Sequence, residues 1–265
     1  MLLVVDAGNT QTVVGLYEHD GEPVADDRQP DDGLLDHWRI STASTRTSDE
    51  MAVLLQGFLA LRRASFADIE GIAVSSGVPR VTAAIRDLAA RHLDFDPVVI
   101  EPGVRTGIAI VYENPKEVGA DRIANAVAAY AMYGGPTIVA DFGTATTCDA
   151  VSANGEYLGG AIAPGIEISM DALVGRAAAL RAVELKAPRT VLGKSTVESI
   201  QSGAVFGFAA QVDGLCARIE DELGPCTVVA TGGLAELITP HSERIQHTEP
   251  WLTLHGLRLV YEKNL

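Results

Sequence analysis

Leu2-Leu3-Val4-Val5-Asp6-Ala7-Gly8-Asn9-Thr10 opens the chain, and Thr137-Ile138-Val139-Ala140-Asp141-Phe142-Gly143-Thr144 repeats its pattern halfway along. In each copy an apolar, largely β-branched run suits a buried strand, and the Asp-x-Gly that follows suits a tight turn. Glycine lets backbone N–H groups approach an anion, the hydroxyl of Thr10 or Thr144 adds a donor, and the aspartate can hold a cation. One such turn ends many ordinary strands. Two alike point to a pair of phosphate loops.

The pattern around both loops is also similar. After the first, Thr12 to Tyr17 returns as a strand and Trp38 to Thr42 forms another, separated by an acidic, turn-rich stretch, Glu18 to Asp36, that reads as a solvated hairpin tip or insertion. Ser48-Asp49-Glu50 caps a helix to about Arg63, a strand covers Ile69 to Ser75, a helix follows Pro79, and a short strand spans Val98 to Ile100. The loop Glu101 to Lys116 leads to a helix that Asp121 opens and Gly134-Gly135 ends. The second half has strands at Thr137 to Ala140, Thr146 to Val151 and Tyr157 to Ile162, and a helix after Pro164-Gly165. A long helix from about Thr196 to Leu223, a strand at Thr227 to Ala230 and a closing helix from Trp251 to Lys263 complete it. The expected fold is α/β, a duplicated unit whose halves close over a ligand.

Composition sets the surroundings of that ligand. Lys and Arg number 20 against 35 Asp and Glu, a net charge of −15, which repels nucleic acid and anionic membranes. Any phosphate must therefore be held by local backbone donors, a Lys or Arg, and bound cations. Cys148, Cys216 and Cys226 form no C-x-x-C pair, so neither a zinc site nor a disulfide framework is indicated, and a reducing cytoplasm is expected. No apolar run approaches a membrane span.

A polyphosphate with its cation, ATP as the common case, suits the two loops. Thr231-Gly232-Gly233 reads either as backbone passing beneath an adenosine or as a turn into the helix at Leu234. Gly119-Ala120-Asp121-Arg122 places a carboxylate and a guanidinium at a helix start. There Asp121 can accept a substrate hydroxyl proton and Arg122 can position the substrate, although the helix dipole favours an acid at that place anyway. Leu192-Gly193-Lys194-Ser195 imitates the end of a Walker A loop, but Pro188 stands where that loop needs glycine. Gly159-Gly160 and Pro164-Gly165 mark backbone packed closely against substrate or a neighbouring strand. The six histidines lack metal-ligand spacing, and Ser75-Ser76-Gly77 is no nucleophile elbow.

Taken together the motifs resemble the type III pantothenate kinases of the sugar kinase, heat-shock protein 70 and actin superfamily. The resemblance is carried by Asp6-x-Gly8-Asn9-Thr10, His37-Trp38-Arg39-Ile40, Arg46-Thr47-x-Asp49-Glu50, Ser75-Ser76-x-Val78-Pro79 and Tyr112-x-Asn114-Pro115. Gly119-Ala120-Asp121-Arg122, Asp141-Phe142-Gly143-Thr144-Ala145, Gly159-Gly160-x-Ile162-x-Pro164-Gly165, Gln201-Ser202-Gly203 and Thr231-Gly232-Gly233 extend it over nearly the whole chain. It implies two actin-like (ribonuclease H-like) domains, 1–118 and 119–265, each a mixed sheet flanked by helices, with the active site in the cleft between them. The closing helix, about 251–264, is able to pack back on the first.

The implied activity is ATP-dependent phosphorylation of the pantothenate primary hydroxyl in coenzyme A synthesis, by a cytoplasmic homodimer with a shared active site. Mg²⁺ would accompany ATP, and a monovalent cation, K⁺ or NH₄⁺, would sit at Asp141. Asp121 would be the proton acceptor, and Tyr112, Gly119, Ala120, Asp121 and Arg122 would hold pantothenate, with Thr196 reaching in from the partner subunit. Asp6, Ala7, Gly8, Asn9, Thr10, Gln11, Thr12 and Val13, with Thr144, Gly232 and Gly233, would bind ATP. The sequence departs from the family pattern in the long acidic excursion and in Gly77. The rival readings are another phosphotransferase or polyphosphatase of the superfamily and a non-catalytic regulatory relative.

Overall fold

The computed structural model describes residues 1–19, 33–177 and 179–265. Contacts divide the chain into two compact units, Met1–Met132 with Trp251–Leu265, and Tyr133–Pro250.

In the first unit β1 (Leu2–Ala7), β2 (Gln11–Tyr17), β3 (Leu34–Ser41), β4 (Gly71–Ser76) and β5 (Val98–Val99) form a mixed sheet of order β3-β2-β1-β4-β5. β1 runs antiparallel to β2 and parallel to β4. The short strand β6 (Ala109–Ile110) follows in the chain. Alternate residues of β1 serve opposite faces, as the pleat requires. Leu3, Val5 and Ala7 enter a core with Met51, Leu55 and Leu59 of α1 (Ser48–Leu61) and Val81, Ile85 and Leu88 of α2 (Pro79–His92). The cap of α1 is Thr47, one residue before the expected position: its hydroxyl accepts from Glu50 N–H while the Glu50 carboxylate accepts from Thr47 N–H. Those bonds hold the Glu50 carboxyl below its usual range. α3 (Ala120–Tyr133) closes this half. Of the acidic excursion Glu18 to Asp36, residues 20–32 lie outside the described residues, and Leu34 to Asp36 already belong to β3.

The second unit repeats the plan. β7 (Thr137–Phe142), β8 (Ala145–Val151), β9 (Glu156–Pro164), β10 (Thr227–Thr231) and β11 (His247–Thr248) run in the order β9-β8-β7-β10-β11. Here too the first strand is antiparallel to the second and parallel to the fourth. Counted within each unit, both sheets are 3-2-1-4-5. α4 (Ile166–Arg176), α5 (Thr196–Leu223) and the single turn α6 (Ala235–Ile238) complete the unit. Ile138, Ala140, Phe142 and Cys148 pack with Ile166 of α4 and Val205, Ala209 and Val212 of α5.

The closing helix α7 (Leu252–Glu262) clusters with the first unit and contacts β1 and β4. It meets α3 at backbone distance, since a Cβ on Gly256 would lie 1.9 Å from the Ala124 carbonyl oxygen. Beside that contact the Thr253 hydroxyl donates to Asn125 Oδ1 at 2.7 Å.

Candidate active site

The first Asp-x-Gly turn is a hairpin loop, Gly8 to Thr10, between β1 and β2. Gly8 N–H donates to the Gln11 carbonyl at 3.0 Å, which folds the loop back on itself. Thr42, just beyond β3, then clamps it from the neighbouring strand. Its hydroxyl donates to the Gly8 carbonyl at 2.7 Å and its N–H to the Thr10 carbonyl at 2.9 Å. The Thr12 hydroxyl lies 2.8 Å from that of Thr42. A hydroxyl carries one proton, and Thr42 commits its own to Gly8, so Thr12 is the donor of that pair. Ala7 and Thr12 are buried and Val13 half-buried, while Asn9, Thr10 and Gln11 are exposed at the tip. Asp6 is half-buried on the sheet face away from α1 and α2, opposite Ser75 in register. Thr42 is not a candidate from the sequence, because its role depends on a register no local motif encodes.

At the start of α3, Asp121 is exposed and its Oδ1 accepts from Arg122 N–H at 2.8 Å. That carboxylate lies directly over Gly119, where a Cβ would stand 2.4 Å from Oδ1. A Cβ there would push the exposed carboxylate aside, and the Gly119 carbonyl accepts the helical bond from Ile123 N–H. Ala120 is half-buried and the Arg122 side chain is buried. Tyr112, in the segment that leads into α3, stands exposed beside Val111.

In the second unit the Asp-x-Gly turn is tighter. Gly143 N–H donates to the Ala145 carbonyl at 3.0 Å, and Gly165 N–H donates to the Thr144 carbonyl at 3.1 Å, which fixes the turn from the start of α4. Thr144 is exposed and Asp141 half-buried. β10 pairs Thr231 with Asp141, and Gly232 follows at φ +92°. A Cβ on Gly232 would lie 2.4 Å from Asp141 Oδ1 and 2.7 Å from Phe142 N. Asp141 Oδ1 is also 3.4 Å from where a Gly143 Cβ would be. The carboxylate therefore sits beside two glycines, where no side chain of theirs stands in the way of a cation approaching it. Gly233 is exposed beyond it. Among the described residues no cluster of three or more His, Cys, Asp or Glu offers another metal site.

Other motifs resolve simply. A Cβ on Gly160 would meet the Cys148 carbonyl at 2.0 Å, so Gly159-Gly160 is packed against a neighbouring strand. Leu192 to Ser195 is a helix cap: the Ser195 hydroxyl accepts from Glu198 N–H and the Glu198 carboxylate from Lys194 N–H. Thr196 is the exposed first residue of α5. The three cysteines are free and buried.

Two 3-2-1-4-5 sheets in one chain, each with an Asp-x-Gly turn between its first two strands, define the actin-like fold class. An inorganic polyphosphate/ATP-glucomannokinase from Arthrobacter superposes with a TM-score of 0.53 at 14% identity, over 99% of this chain and 98% of that one. A Campylobacter jejuni protein assigned to the Baf family of transcriptional activators superposes with a TM-score of 0.59 at 18% identity, over 99% and 98%. Within that class the chain belongs to the type III pantothenate kinase family, whose model matches residues 2–218. The type III pantothenate kinase of Streptomyces griseus is 54% identical, across 100% of this chain and 99% of that protein.

Proposed function

We propose that this chain transfers the γ-phosphoryl group of ATP to the primary hydroxyl of pantothenate, giving 4′-phosphopantothenate in the first step of coenzyme A biosynthesis. The observation that carries the reading is the duplicated Asp-x-Gly hairpin in two sheets of identical connectivity, in a chain whose α3 is entered through Gly119-Ala120-Asp121-Arg122. Asp6 to Val13 and Thr144 take the ATP phosphates, with Gly232 and Gly233 beneath the nucleoside and Mg²⁺ bound with ATP. Tyr112, Gly119, Ala120 and Arg122 hold pantothenate. Asp121 accepts the hydroxyl proton as the new O–P bond forms and the bond from γ-phosphorus to the bridging oxygen breaks, releasing ADP. Its exposure suits this task, because phosphoryl transfer depends chiefly on placement and charge neutralisation and asks little of the base.

A monovalent cation, K⁺ or NH₄⁺, is assigned to the Asp141 carboxylate, where it supplies positive charge beside the phosphates. The chain acts in the cytoplasm, and no described helix is long and apolar enough to cross a membrane. It acts as a homodimer. Support comes from an apolar face of the second unit, where Leu192 is 72% exposed, Val191 65% and Val197 49%. Beside it a cavity of about 630 Å³ is lined by Met170, Leu173, Thr196, Ile200 and Phe208. Patches of this kind mark protein contacts, and Thr196 on this rim is placed to serve a second copy. The test is ADP release coupled to NADH oxidation with Mg-ATP in potassium buffer. Pantothenate-dependent release is expected, and its absence rejects the reading.

A further inference from the structure

The segment that leads into α3 carries Tyr112, and the closing helix holds it. Residues 101–108 fold as one turned loop. Val104 N–H donates to the Glu101 carbonyl at 3.1 Å, the Thr106 hydroxyl donates to the Ile108 carbonyl at 3.0 Å, and Gly103 and Gly107 stand at φ +106° and +85°. Within this loop the Arg105 backbone meets Asn264, just beyond the end of α7. Asn264 Oδ1 accepts from Arg105 N–H at 3.2 Å, and Asn264 Nδ2 donates to the Arg105 carbonyl at 2.8 Å and to the Val260 carbonyl at 2.7 Å. One side-chain amide thus bonds both backbone groups of a loop residue to the last turn of a helix. Its orientation is set by its partners, since a flipped amide would turn its oxygen on two carbonyls and its NH₂ on an N–H. Lys263 lies along the same loop: a Cβ on Gly107 would stand 2.4 Å from its Cε. Nearer its start, α7 holds α3 through Thr253 on Asn125 and Gly256 on Ala124, one turn on from Asp121. Tyr112 therefore lies between two stretches that α7 fastens, Arg105 before it and the start of α3 after it.

We infer that Asn264 is a positioning residue for pantothenate, acting through the loop that carries Tyr112. The inference rests on the proposed reading, in which Tyr112, Gly119, Ala120 and Arg122 hold that substrate. A clamped loop is set before the substrate arrives, so binding does not have to order it. An unclamped loop is competent for only part of the time, and the apparent affinity falls by that fraction. Bound pantothenate restores the arrangement, so the loss falls on its KM and not on turnover of the saturated enzyme. None of the three amide bonds involves Asp6 to Val13, so the KM for ATP stays as it is.

The test compares full-length wild type, Asn264→Asp, Asn264→Ala, Tyr112→Ala and the double variant Tyr112→Ala with Asn264→Asp. Aspartate keeps the shape but has no donor and sets a charge against two carbonyls, whereas alanine removes the amide without adding charge. The ADP-release assay gives the KM for pantothenate at saturating Mg-ATP and the KM for ATP at saturating pantothenate, and melting curves report folding. Both Asn264 variants are expected to raise the pantothenate KM about five- to tenfold, with kcat and the KM for ATP within about twofold of wild type. In the Tyr112→Ala background Asn264→Asp adds less than about twofold, because the ring that the loop presents is already gone. A pantothenate KM unchanged in the Asn264 variants overturns the inference, and Asn264→Ala decides this if Asn264→Asp does not fold. Equal rises in both KM values, the mark of a general loss of structure, also overturn it, as does full additivity with Tyr112→Ala. Wild type that releases no ADP in response to pantothenate refutes the proposed reading, and the role of Asn264 with it.

Discussion

Thr42→Val tests whether the first loop is held as the structure describes. The substitution keeps the side-chain shape and removes one hydroxyl, which donates to the Gly8 carbonyl at 2.7 Å and accepts from Thr12 at 2.8 Å. The two losses are unequal. Gly8 is only half-buried, so water can replace the bond to its carbonyl at a cost of about 0.5–1 kcal/mol. Thr12 is 1% exposed, and its hydroxyl loses its acceptor where water does not reach, a cost of about 1–3 kcal/mol. The expected destabilisation is about 2–3 kcal/mol, a sizeable share of the roughly 5–15 kcal/mol of a folded domain. Adding Thr12→Val removes the stranded donor. The double variant is therefore more stable than the sum of the single losses implies, by about 1–2 kcal/mol. Urea unfolding followed by circular dichroism measures both quantities. Because the backbone bond from Thr42 N–H to Thr10 survives, the loop loosens without opening, and the KM for ATP rises about three- to tenfold with that for pantothenate unchanged. Thr42→Ser, which retains the hydroxyl, recovers most of both effects. Thr42→Val within about 0.5 kcal/mol of wild type, or additive losses in the double variant, refutes the clamp.

Asp121→Asn is expected to lower kcat by about 10²–10⁴ while a non-hydrolysable ATP analogue binds as in wild type; equal turnover removes Asp121 from its role. Gly232→Ala forces a methyl group to 2.4 Å from Asp141 Oδ1 at a φ that disfavours side chains, so the carboxylate moves and the potassium response of ATP binding, read by calorimetry, is lost. Leu192→Glu places charge on the exposed apolar face and yields monomers in sedimentation velocity, with pantothenate-dependent turnover lost in step; a dimer that persists moves the interface elsewhere. The hydrogen bond with Cys148 and burial push the Cys216 thiol up, and burial with the Glu220 charge pushes up Cys226, from an ordinary value of 9.0. The folded chain thus keeps thiol protons that the unfolded chain releases. This contribution to stability is complete below the unfolded value and is lost as pH rises through and above 9, which melting curves in alkaline buffers read. By the same burial the thiols react with a disulfide reagent only after unfolding.

How far the sequence discloses this arrangement follows from the range of each signal. Strands β1 and β7 and the turns after them are local patterns, a buried β-branched run and an Asp-x-Gly, and they stand within a residue or two of the expected places. Helix α3 is likewise local, begun by Gly119-Ala120 and ended before Gly134. Thr42 and Asp149 are illegible for the opposite reason. A threonine after a strand and an aspartate within one carry no local signature: Thr42 meets Gly8, Thr10 and Thr12 only through the pairing of β2 with β3, and Asp149 meets the Tyr157 hydroxyl only through that of β8 with β9. The short strands β6 and β11 are too brief for any periodicity to register. The paired glycines at 159 and 160 signal that backbone passes closely, and only the register shows that it is Cys148 that passes.

The duplication also explains why the cation is assigned to Asp141 and the longer phosphate loop to the first copy. Superposing the registers places Asp6 with Ser75 as it places Asp141 with Thr231, so Ser76 of the first unit corresponds to Gly232 of the second. Ser76 is committed locally: its hydroxyl donates to the Val78 carbonyl and accepts from Val78 N–H, which ties the strand end to the start of α2. Gly232 has no side chain to commit, and at φ +92° it presses bare backbone against the Asp141 carboxylate. The first copy has instead lengthened its turn, exposing Asn9, Thr10 and Gln11 on a loop clamped by Thr42. One copy thus sets a carboxylate against bare backbone and the other an exposed-tipped loop on a clamped base. On the proposed reading the phosphates must be neutralised locally, since a chain of net charge −15 attracts no anion at long range.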